Sequence, residues 1–115
     1  MKINNVELED IDILEADVAE KYENSLATID GIAEKVEGMR SSESIRTQCT
    51  AIFGVFNTLF GEGTDKKVFG EKVNLLICLK AFEELVITLN SKTEEVQKLS
   101  NKYSPNRANR RGAKK

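Results

Sequence analysis

The chain has no histidine, one proline and two cysteines in 115 residues. Each scarcity excludes something. Without histidine, proton transfer near neutral pH would fall to a carboxylate or lysine with a strongly shifted pKa. Between Ile45 and Leu89 no nucleophile stands beside a base and no metal-ligand spacing occurs. Catalysis, a cofactor and a metal are therefore not expected. A single proline leaves long uninterrupted runs, which favours helix. Cys49 and Cys78 each fall inside an apolar helical pattern. They read as buried free thiols of a reducing compartment, with a Cys49–Cys78 bridge as the alternative. No apolar run approaches the ~20 residues that span a bilayer. The N-terminus is acidic and lacks the apolar stretch of a signal peptide. A cytoplasmic protein without a membrane segment is expected.

What is present is charge and helical periodicity. Charged residues make up 31% and hydrophobic ones 40%, the balance of one folded, highly soluble domain. The formal charge of −2 conceals a polarity. Residues 1–40 carry eleven acids against four bases, whereas residues 102–115 carry six bases and no acid.

The core should lie between Ile45 and Leu89, which holds five of the seven aromatic residues and the densest aliphatic run, Leu75 to Leu79. Ahead of it, residues 1–9 alternate Val6 and Leu8 with Glu7 and Glu9, the pattern of a half-buried strand. Asn4-Asn5 would turn a small hairpin, or the strand would pair with another chain. The acids of residues 10–17 suit either a divalent cation or, more simply, the positive end of a helix dipole. A first helix over 13–38 follows from a seam at steps of four and three: Val18, Tyr22, Ser25 or Leu26, Ile29, Ile32, Val36 and Met39. A second, over 42–60 and capped by Ser41 or Ser42, turns Ile45, Cys49, Ile52, Phe53, Phe56 and Phe60 to one side. The connector 61–70 has glycines and lysines but follows a helix, so it fails both phosphate-loop patterns. It reads as a glycine-ended corner with a short turn at Thr64 or Asp65, and with Phe69 folding back on a neighbouring helix. A third helix over 72–101 is apolar almost all round at first, which implies cover on several sides, and then thins to one narrow stripe. Residues 104–115 follow a proline stop and read as a flexible basic tail.

These readings give a mainly α fold: a three-helix, bundle-like domain over 1–103 with a short N-terminal strand or hairpin and a long C-terminal helix. The outer seam of the first helix (Val18, Tyr22, Ile29) and the thin end of the third (Val96, Leu99, Tyr103) are the candidate partner-binding residues. The same stripe allows self-association. Arg107, Arg110, Arg111, Lys114 and Lys115 are candidate tail contacts. Six cations without a folded platform or an interleaved aromatic give only weak, salt-sensitive phosphate binding, so nucleic acid is the lesser reading.

Two segments carry a family resemblance: MKINNVELEDIDILEADVAEKYE, and IRTQCTAIFGVFNTLFGEGTDKKVFGEKVNLLICLKAFEEL. Together with the Ile-Arg-x-Gln-Cys run at 45–49 and the paired Phe-Gly, they resemble small proteins of tailed phages and prophages of Gram-positive bacteria. Those are similar in turn to siphophage tail assembly chaperones. The resemblance spans roughly residues 1–89. It implies a non-enzymatic role in the host cytoplasm: binding the tape-measure protein, keeping it soluble and helping recruit tail-tube subunits. A minor structural tail component and a small prophage adaptor are the alternatives.

Overall fold

The computed structural model describes residues 1–103, with side chains as far as Leu99. It is mainly helical, with a two-stranded hairpin at the N-terminus and a long helix at the C-terminus. The hairpin pairs β1 (Lys2–Ile3) with β2 (Val6–Glu7) in antiparallel register, Ile3 opposite Val6. Asn4 and Asn5 both adopt positive φ, 54° and 62°, the backbone of a two-residue type I′ turn. Asn4 also anchors the hairpin. Its backbone N–H donates to Glu84 Oε1 at 2.8 Å, and its side-chain amide donates to the Val68 carbonyl at 2.8 Å. Ile3 is thereby fully buried in the core. The strand thus pairs within its own chain.

Helix α1 (Ala16–Lys35) is shorter than the expected 13–38 at both ends. At its start, Asp12 Oδ1 accepts the Leu14 N–H at 3.0 Å, holding residues 12–15 in a turn from which Ile13 points inward. At its end, the chain leaves through Gly38 at φ +83°, where a side chain would be strained. Helix α2 (Ser41–Phe60) begins one residue earlier than expected. Arg40, not a serine, occupies the N-cap position, and its carbonyl accepts the Ser44 N–H.

The corner between α2 and the last helix is itself helical. Asn57 Oδ1 accepts the Asp65 N–H at 3.0 Å and the Thr64 hydroxyl donates to the Gly61 carbonyl at 2.6 Å. These bonds start α3 (Thr64–Phe69), one turn longer than a capped bend. Phe69 folds back onto α2: its ring centroid lies 5.1 Å from that of Phe53 and 5.5 Å from that of Phe56, the latter edge-on at 82°. Edge-to-face packing of this kind adds ~0.5–1.5 kcal/mol per pair beyond simple burial.

Helix α4 (Leu75–Tyr103) is capped by Asn74, whose Oδ1 accepts the Ile77 N–H at 3.1 Å. Helix α2 is the centre of the fold, packing against α1, α3 and α4, while α4 also packs on β1. The core is Cys49, Ile52, Val55 and Phe56 of α2, Val68 and Phe69 of α3, and Cys78, Ala81, Leu85 and Leu89 of α4, closed by Ile3, Leu8, Ile13 and Tyr22.

Candidate functional site

Helix α4 buries one face and leaves the opposite one bare. Cys78, Ala81, Leu85 and Leu89 recur at steps of three and four and are all buried. At 100° per residue, Leu76, Leu79 and Ile87 fall on the far side, with Glu83 between them. They are 62%, 45% and 62% exposed. The expectation of cover on several sides is corrected here. Helix α1 packs on α2 and does not roof the outer face of α4.

Leu79 marks where this bare face meets a crevice. Ile29, Ile32 and Ala33 of α1, Gln48 and Ile52 of α2 and Leu79 line a space of about 130 Å³. An engineered apolar cavity of ~150 Å³ accepts benzene, so the crevice has room for one large apolar side chain. Among the described residues that line it, Gln48 alone carries a polar side chain, and its amide is turned to Ser44 Oγ at 3.0 Å. A second hollow, of about 300 Å³, lies at the corner beside Leu8, Phe60, Gly63 and Thr64 and is rimmed by Glu9, Glu62 and Lys67. Of the corner acids, Glu62 and Glu71 are exposed and Asp65 is half-buried. Among the described residues, no group of three or more His, Cys, Asp or Glu is placed to hold a metal ion. Asp12 instead makes the turn into α1, and Asp10 Oδ1 accepts from the Met1 ammonium at 2.8 Å.

The seam of α1 faces inward. Tyr22 is buried, with its hydroxyl lacking a hydrogen-bond partner among the described residues, and Val18 and Ile29 are half-buried against the core. Burial also pushes the Tyr22 phenol pKa up. Helix α1 instead presents Asp17, Glu20, Glu23, Asp30 and Glu34 to solvent. Val96 and Leu99 are 37% and 54% exposed, on the part of α4 that extends beyond the core. The side chain of Tyr103, and Arg107, Arg110, Arg111, Lys114 and Lys115, lie outside the described residues. Sequence reasoning overlooked Leu76, Leu79 and Ile87 as a surface. The signal was the surplus itself: a helix apolar on two faces needs two covers, and one small core supplies one.

Cys49 and Cys78 are both free and both fully buried. Burial, and then the neighbouring Cys49, push the Cys78 thiol up to about 12 from its ordinary 9.0. The folded state therefore holds a neutral thiol where the unfolded chain ionises. This group leaves stability unchanged below about pH 9 and lowers it as pH rises from there toward about 12. The native protein should react slowly with a thiol reagent at pH 8 and yield two thiols once denatured. The fall in urea midpoint above pH 9 should be shallower in Cys78→Ala; equal slopes would remove this account.

No helix among the described residues is long and apolar enough to cross a membrane. No curated protein and no solved structure matches the chain. A family model does match over residues 4–114, nearly the whole chain including its basic end, and the chain accordingly belongs to the family of unknown function DUF6673.

Proposed function

We propose that the protein is a non-enzymatic holder of an apolar helical partner, acting in the host cytoplasm as a phage tail assembly chaperone-like protein. The partner is the tape-measure protein, held soluble while tail-tube subunits are recruited. The observation that carries the reading is the bare ridge Leu76–Leu79–Ile87, running into the crevice between α1, α2 and α4. A client helix laid along the ridge would place one large side chain in the crevice and cover the rest, the helix-in-groove mode of recognition. The acids on the outer face of α1 favour clients with basic flanks and keep the complex dissolved. Residues 1–89 resemble small proteins of tailed phages that are similar in turn to tail assembly chaperones, and that resemblance is the ground for proposing the tape-measure protein as the client.

The test is co-expression with an apolar helical segment of the tape-measure protein. The segment should move from the insoluble to the soluble fraction and co-purify with this protein. A segment equally insoluble with and without it would sink the proposal.

A further inference from the structure

We propose that the bare face of α4 pairs antiparallel with the same face of a second copy, Leu76 of one chain against Ile87 of the other. At about 100° per residue, Leu76, Lys80, Glu83 and Ile87 fall within an arc of about 60°, opposite the buried Cys78, Ala81, Leu85 and Leu89. They recur at steps of four, three and four, the spacing of a heptad seam. Leu79 and Val86 flank this seam on one side, Ile77 and Glu84 on the other. All eight residues belong to the half of α4 that the core already holds, so pairing there orders no further backbone.

The two charges inside the seam choose the occupant. Lys80 and Glu83 are exposed, and neither forms an ion pair among the described residues. With Leu76 and Glu83 at d positions, Lys80 and Ile87 take the a positions, and in an antiparallel pair a faces d of the other chain. Setting Leu76 against Ile87 of a two-fold-related copy then brings Lys80 to Glu83 twice by symmetry. On one edge Leu79 faces Val86, also twice. On the other, Ile77 faces Glu84, whose Oε1 keeps the Asn4 N–H as its donor. Sliding by one heptad sets Glu83 against Ile87 in one direction and Lys80 against Leu76 in the other. A parallel pair sets Lys80 on Lys80 and Glu83 on Glu83. One register alone matches both charges and covers Leu76, Leu79 and Ile87, and it is a register of this helix with itself. A second copy and a client would then compete for the ridge; that consequence rests on the client reading above, whereas the pairing does not.

From Leu76 to Ile87 the seam is about 17 Å long, which makes a contact at the low end for a specific interface. The association is therefore concentration-dependent. Sedimentation equilibrium of the full chain at low salt, from roughly 10 μM to roughly 1 mM, should show a monomer–dimer equilibrium. Lys80→Glu alone and Glu83→Lys alone each set like charges together twice and should weaken dimerisation about tenfold or more. An equimolar mixture of the two variants restores both opposite-charge pairs, and should dimerise as tightly as the unmodified protein or nearly so. Both side chains are exposed in the single chain, and circular dichroism should report unchanged helicity. A monomer at every concentration, single variants that dimerise normally, or a mixture that stays as weak as its components would each overturn the proposal. No client is present in this experiment, so its failure leaves the proposed function standing, and a client segment that stays insoluble on co-expression leaves the dimer standing.

Discussion

Phe56→Ala should destabilise the protein by about 3–5 kcal/mol, a large share of the ~5–15 kcal/mol that holds a domain of this size together. Phe56 is fully buried, in the central helix, with Phe69 edge-on at 5.5 Å and Phe60 stacked at 6.0 Å. Removing its ring leaves a cavity at the point where α2, α3 and α4 meet, and Phe69 loses the partner that fixes the corner. Urea denaturation followed by circular dichroism should show the midpoint falling by roughly 2 M, given m-values of ~1–3 kcal/mol/M. Phe60→Ala is the control. Phe60 is half-buried at the edge of the same stack, so its loss should cost well under half as much. Equal midpoints for the two variants would mean that the aromatic corner is not where the stability resides.

The double variant Leu76→Lys/Ile87→Lys should abolish capture of the helical client while leaving the monomer intact. Both side chains are 62% exposed, so their replacement changes folding stability by no more than about 0.5 kcal/mol each. At an interface, each large aliphatic contributes ~1.5–3 kcal/mol on burial, and losing two weakens binding by about two to four orders of magnitude. Leu79→Lys adds a second readout, because Leu79 both belongs to the ridge and lines the crevice. The measurement is soluble recovery of the co-expressed segment, with urea midpoints of the free variants alongside. Unfolded variants would make the ridge part of the core. Folded variants that still rescue the segment would move the binding surface elsewhere.

The two outcomes together separate the residues that build the fold from those left over. That distinction was only half legible in the residue pattern. The corner was legible: Phe53, Phe56 and Phe69 are aromatics at helical spacing beside glycines that end a helix, and local rules suffice to bring them together. The Asn4-Asn5 turn was legible as one of two options. Its anchoring was not, because Glu84 and Val68 lie far along the chain and no periodicity connects them to Asn4. The seam of α1 was legible only as a stripe, of which Tyr22 is buried while Ile29 also lines the crevice. Val18, Tyr22 and Ile29 form a stripe that looks the same whether it faces a partner or its own core. The structure sets Tyr22 inside.

By itself, then, the sequence determined that the chain is helical, to within a few residues where its long helices end, and which residues are greasy enough to need cover. Backbone propensity, capping and 3.6-residue periodicity act over a few neighbours and are written locally. Which stripe receives that cover is a matter of packing geometry. Helix α1 has one face to bury and α2 takes it, which leaves the outer side of α4 without a roof. Only the tertiary arrangement decided that Leu76, Leu79 and Ile87 meet solvent while Leu85 and Leu89, equally apolar and on the same helix, do not.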